Sequence, residues 1–282
     1  MANEVTVTVA DASISELWVA EALRARSSRG VFAKPGVVLY KEIKDNLDVV
    51  RFTELAEMST NAVGADGTTT NQATTQTGRT ITISEWREVT WRVANRVLKQ
   101  SVLDYGLEFA KGAGARLAEY IDSTLADNQG SLTTNVEGSA TSPGPMSDAL
   151  ALAAMVDLDA LGVPSEDRNW IFHPRAKADL LAIDKFSLAN ATGLQKGAQI
   201  SGLFGEIYGS KVLMSPEIVA SGTPSIRNNY YLHKECMGVA MQQPLKIHKK
   251  DPPDLSTLFI AEVLFGEAVL RENHGVLIRT AA

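Results

Sequence analysis

Residues 64–80, GADGTTTNQATTQTGRT, offer a hydrophobic core nothing larger than two alanines, and seven of them are threonine. A compact domain rarely carries so long a polar segment between regular elements unless the segment is disordered or functional. On the near side, Val49, Val50, Phe52 and Leu55 alternate imperfectly with Arg51, Thr53 and Glu54. On the far side, Ile81 and Ile83, then Val89, Trp91 and Val93, alternate with polar residues. Period two with β-branched and aromatic side chains is a strand pattern. The chain is therefore expected to run out and back as a long hairpin. Its connection, from about Met58 to Arg79, far exceeds the roughly two to five residues of an ordinary hairpin loop. A lone two-stranded arm is marginal in water, so something beyond its own two strands must support it.

The arm is followed by a helical pattern over 101–128, with Ser101 as the expected cap and Phe109, Ala113, Leu117, Ile121 and Leu125 on one stripe. At ~1.5 Å per residue it is a spine about 40 Å long. Gly106, Gly112 and Gly114 each weaken it by about 1 kcal/mol relative to Ala, or mark close backbone approach. Glu119 and Asp122, one turn apart, read as a solvated helix face. Upstream of the arm, ISELWVAEALRARSS reads as a short helix capped by Ser13 or Ser15. Ile14, Leu17, Trp18 and Leu23 lie on one side, and Arg24, Arg26 and Arg29 at its C-terminal end suit the helix dipole. Such a helix needs a partner surface elsewhere.

Residues 129–146 are rich in Gly, Ser, Thr and Pro and read as a linker and domain boundary. Helix and strand patterns then alternate. A helix capped by Ser147 precedes the buried strand NWIFHP, a helix opened by Pro174, and the strands KVLMS and YYLH. From Leu245 onward strand patterns return, with a turn at ENHG before VLIRT. No internal repeat is evident.

Composition narrows the function. A formal charge of −6 argues against binding nucleic acid through bulk electrostatics, which needs clustered Lys and Arg. The single cysteine, Cys236, staples nothing within the chain and points to a reducing compartment. No apolar run approaches a membrane span, and the N-terminus lacks a signal-peptide pattern. His173, between a strand pattern and Pro174, reads as a helix cap rather than a general base, because no nucleophile stands at a matching spacing. His233, His248 and His274 are scattered, with no metal-ligand spacing. GEIYGSK has Ser before Lys and enters a strand, so it lacks the geometry of a phosphate loop. KIHKKDPPD reads as a solvated basic loop edge. Neither catalytic nor cofactor or metal residues are assigned.

The order of elements resembles the major capsid proteins of tailed bacteriophages, the Hong Kong 97-like fold. An N-terminal arm, an extended β loop and a spine helix ending in LAEYIDSTLADN come first. LGVPSEDRNWIFHPRAKADLLAIDKF is similar to that family's axial domain, and GEIYGSKVLMSPEI to its Gly-x-x-x-Gly-x-x-Val-x-x-Ser strand. GVAMQQPLKIHKK and FGEAVLRENHGVLIRT resemble the strands that return to its peripheral domain. The resemblance implies an α+β fold with the N-terminal arm at 1–40 and the β-hairpin loop at 41–95. The peripheral domain would comprise 96–140 and 243–282, and the axial domain 141–242.

It also implies a non-enzymatic subunit of an icosahedral shell, built of hexamers and pentamers, that encloses double-stranded DNA without reading its sequence. Contacts between subunits are then expected at the loop tip, through Ala62, Asp66, Thr69, Asn71, Gln72, Thr75 and Arg79. Leu17, Trp18, Arg24 and Arg26 are expected to make them from the N-terminal arm. Some members cross-link through a lysine on the loop. No lysine lies between Lys44 and Lys99 here, so non-covalent contacts or a decoration protein must hold the shell. The short N-terminal region points to a separate scaffolding protein, and a portal is implied as a further partner. An encapsulin-type nanocompartment is the alternative with the same fold; a small α/β enzyme is the alternative of another class.

Overall fold

The computed structural model describes residues 19–24, 30–43, 47–55, 60–69, 76–100, 104–183 and 205–282. Twelve strands within them form three sheets. The expected hairpin is present: β2 (Val49–Leu55) pairs antiparallel with β3 (Gln76–Thr82), from Val49 opposite Thr82 to Leu55 opposite Gln76. The returning strand then breaks at 83–84. Its second half, β4 (Glu85–Ala94), leaves the arm and pairs along its whole length with β11 (Ser256–Val269). Aromatic packing accounts for the change of partner. The Trp91 ring lies 5.7 Å from Tyr105 and 6.2 Å from Phe109, so the far half of the pattern is drawn onto the helix stripe.

β4 and β11 belong to a four-stranded sheet ordered β1-β10-β11-β4, with β1 (Leu39–Glu42) parallel to β10 (Met237–Lys250) and the other pairs antiparallel. The ladder between β10 and β11 shifts register between Met241 and Lys246. Pro244 falls in that interval and has no amide to donate, which suits a bulge.

Short helix α1 (Asn95–Gln100) leads toward the spine helix α2 (Tyr105–Asp127). The observed cap of α2 is Asp104, whose carboxylate accepts from the Gly106 and Leu107 amides at 3.0 and 3.2 Å. The expected cap, Ser101, lies outside the described residues. The apolar stripe is as read: Phe109, Ala113, Leu117, Ile121 and Leu125 are all buried. Gly114 is buried because the backbone of the helical residues 19–24 crosses there. A Cβ on it would stand 2.2 Å from the Ala22 carbonyl oxygen, so no larger residue permits that crossing. Gly112 meets nothing within 4 Å and carries only its propensity cost.

The second sheet is ordered β5-β12-β9-β6-β8-β7. Its strands are β5 (Val136–Glu137), β6 (Arg168–Phe172), β7 (Glu206–Ile207), β8 (Ser210–Met214), β9 (Ile226–His233) and β12 (Gly275–Ala281). Both faces are covered, which is why β6 is buried at every position. Ile171, Tyr230, Leu232 and Leu277 point into the core around α2. Trp170, Phe172, Tyr231, Val276 and Ile278 point into a second core closed by α3 (Asp148–Ala160) and α4 (Pro174–Leu181). Ser147 caps α3 as expected, accepting from the Leu150 amide.

One expectation is corrected. Residues 129–146 are not a free linker. Leu132 is buried in the first core and Met146 in the second, Val136 pairs with Leu277, and Glu272 accepts from the amides and hydroxyls of Thr133 and Thr134. Those bonds hold the Glu272 carboxyl down to about 2. The last strand, β12, does not stay in the sheet of its predecessor β11; it pairs with β9 in the six-stranded sheet. Residues 276–278 alternate between two apolar cores, and only a strand covered on both faces can bury both sets.

Candidate inter-subunit surfaces

Among the described residues, the arm is packed at its root. Val50 and Ile81 are buried against Ala240 and Leu270, with Phe52 packed beside them. At Gly266 the backbones touch: a Cβ there would lie 2.1 Å from the Thr82 carbonyl oxygen. Part of the support is therefore the chain's own sheet. Farther out, residues 60–69 are all exposed. Their order is local, with the Gly64 amide donating to Thr68 O at 3.1 Å, Gly67 to Gly64 O at 2.8 Å, and the Thr68 hydroxyl to Asp66 at 2.7 Å. The Thr68 hydroxyl and amide, both donating to Asp66, hold its carboxyl below the usual range.

Of the expected contact residues, Ala62, Asp66 and Thr69 lie on this exposed tip. Arg79 is exposed on β3 and lines a cleft with Asn128, Glu267 and Glu272, so it belongs to the arm's root and not its tip. Asn71, Gln72 and Thr75 lie outside the described residues, as do Leu17, Trp18 and Arg26. Arg24 is exposed at the end of the helical residues 19–24.

The N-terminal segment is fixed by a residue that sequence reading misplaced. Asp122 is not on a solvated face: it is 2% exposed, and its carboxylate accepts from the amides of Val31 at 2.5 Å, Phe32 at 3.1 Å and Ala33 at 3.2 Å. Burial raises its pKa against the pull of those three donors. An apolar groove of about 500 Å³ opens alongside, lined in part by Leu23, Ala33, Pro35, Tyr40, Ala118 and Pro244.

The outer face of the four-stranded sheet is also partly exposed. Trp86 is 67% exposed there, and Leu258, Ile260 and Leu264 are only half-buried. Glu262 organises its centre, accepting from Trp86 Nε1 at 3.1 Å and Gln243 Nε2 at 2.8 Å, with His248 Nε2 at 2.9 Å. Burial opposes ionisation, but these bonds hold the Glu262 carboxyl below its ordinary value. At the β10–β11 turn, Leu255 is 81% exposed with φ of 50°. A left-handed leucine costs about 1 kcal/mol or more, and most of this side chain stands in solvent. Leu255→Gly is expected to raise subunit stability by roughly 1 kcal/mol in urea denaturation while weakening self-association in sedimentation.

The residues weighed for chemistry have structural places. His173 caps α4, its Nδ1 accepting from the Arg175 amide at 3.0 Å. Burial lowers its pKa, keeping the accepting ring neutral. GEIYGSK forms the two-residue hairpin β7–β8, turning at Tyr208 and Gly209 with positive φ at both. His248 stands with Glu262, whereas His233 and His274, scattered in sequence, are neighbours with ring centroids 5.4 Å apart.

No family model and no curated protein matches the sequence. Solved structures do. The capsid of cyanophage P-SCSP1u matches with a TM-score of 0.68 at 16% identity, covering 86% of this chain and 86% of that one. The mature capsid of bacteriophage PhiM1 matches with a TM-score of 0.68 at 13% identity, over 89% of this chain and 87% of that one. A virus-like particle from Pyrococcus furiosus matches with a TM-score of 0.62 at 13% identity, over 93% and 98%. An α+β chain with a projecting β arm, a spine helix and a sheet buried on both faces thus has the fold of bacteriophage capsid proteins, the one its order of sequence elements resembles.

Proposed function

We propose that this chain is a major capsid protein that self-assembles into an icosahedral shell enclosing double-stranded phage DNA. The observation that carries the reading is the overlay on phage capsid subunits over 86% and 89% of this chain, together with an arm whose described residues 60–69 are all exposed. A segment whose only described bonds are local gains order by lying across a neighbour, and ring-forming heterologous contacts close such subunits into shells. The net charge of −6 suits an inner wall that does not grip packaged duplex. Residues 1–40 would act as an N-terminal arm and 41–95 as the β loop, with 96–140 and 243–282 in the peripheral domain and 141–242 in the axial domain. Its place is the virion after assembly in host cytoplasm, with a scaffolding protein, a portal and a decoration protein as partners.

The overlay on the Pyrococcus furiosus particle favours one second reading, an encapsulin-type shell around protein cargo. Electron microscopy of particles purified from expressing cells, with nuclease digestion and cargo mass spectrometry, separates the two. Closed shells with protected DNA are expected. Monomers and dimers alone, even with the scaffold co-expressed, refute both readings, and shells packed with a single enzyme favour the second.

A further inference from the structure

We propose that His233, Glu235 and His274 form a zinc site that clips together the two crossovers between the sheets. The register explains how they meet. β9 and β12 are antiparallel with Leu232 opposite Gly275, so one further rung places His233 opposite His274. Directly opposed side chains on a ladder lie ~5 Å apart. Glu235 follows two residues later in the turn that carries the chain from β9 into β10. One ring nitrogen from each histidine and a Glu235 oxygen all lie within 4.8 Å of one another. His274 ends the short turn between β11 and β12, so the three ligands tie one sheet-to-sheet crossover to the other.

Two imidazoles and one carboxylate, with an open position, are a donor set that zinc accepts. His233 is buried, its ring lying 5.4 Å from that of His274, centroid to centroid. Glu235 and His274 are half-buried, so water reaches the remaining position. The ion pair from Arg271 to Glu235 Oε2, at 2.8 Å, orients the carboxylate. The neighbouring charges of Lys234 and Asp167 are paired with each other, which limits repulsion of a dication. Such a site would staple the fold from outside its cores, independently of whether the chain builds a shell.

Calorimetric titration of zinc into the EDTA-stripped, dialysed full-length chain at pH 7.5 tests this. The expected result is one zinc per chain and a rise in unfolding temperature. His274→Gln and Glu235→Gln are expected to weaken binding by about tenfold or more, as even loss of a ligand's outer partner does, and to abolish the rise. His248→Gln, at the distant histidine, is expected to bind as the wild type does. Absence of stoichiometric binding, or equal affinity in Glu235→Gln and the wild type, overturns the proposal. Glu235 is partly exposed in a turn, so its variant decides the matter should His274→Gln fail to fold.

Discussion

Replacement of residues 56–75 by an Asn-Gly turn is expected to leave a folded subunit that no longer forms shells. The cut spares the last paired rung, Leu55 opposite Gln76, and the buried root at Val50 and Ile81. What is removed includes exposed residues whose described hydrogen bonds close on one another between Gly64 and Thr68. Shortening the connection roughly tenfold reduces its closure cost by about 2 kcal/mol, and Asn-Gly matches a two-residue hairpin. Circular dichroism and the urea midpoint should therefore stay at or above those of the wild type. Particle yield by gradient sedimentation should fall by at least tenfold. Shells at the original yield would show that the tip plays no part in assembly; an unfolded variant would place the stretch in the core.

Asp122→Ala is expected to be the most damaging single change, destabilising the subunit by about 3 kcal/mol or more. Three amides from 31–33 converge on this carboxylate, and a buried donor left without an acceptor costs roughly 1–3 kcal/mol. Asp122→Asn keeps one oxygen acceptor but turns an NH₂ group toward an amide, so its loss should be intermediate. The loss should also be local at first. Hydrogen exchange at Val31, Phe32 and Ala33 should accelerate well before the amides of β6 or β9 are affected, because those strands lie between two intact cores. Unchanged stability in Asp122→Ala, measured by urea denaturation, would contradict the assigned clamp.

The same two segments show what was legible in the chain and what was not. Period-two alternation before and after the polar stretch located the arm, and the 3.6-residue stripe from Phe109 to Leu125 located the spine helix. Both patterns reflect which side of an element faces water, and that is written locally. His173 before Pro174 and Ser147 before α3 were readable for the same reason: a cap is decided within a few residues. The surfaces were legible only as regions. Of the tip residues proposed, Arg79 proved to stand at the root, because the hairpin is paired out to Leu55 and Gln76.

Tertiary structure decided the rest. Asp122 has an exposed helix position's spacing in sequence, and its burial comes from amides about ninety residues away in the chain. Gly114 and Gly266 are required by backbones that cross them, Ala22 and Thr82, and neither crossing has a local signature. β12 exchanges sheets because its alternate residues find two cores, and that exchange sets His233 beside His274. Sequence alone determined the period of the arm strands and the spine helix and the caps of α3 and α4, since those are settled by each residue's immediate neighbours and its exposure to water. Which elements meet, and therefore which charges are buried and which histidines pair, was decided only when distant segments packed against one another.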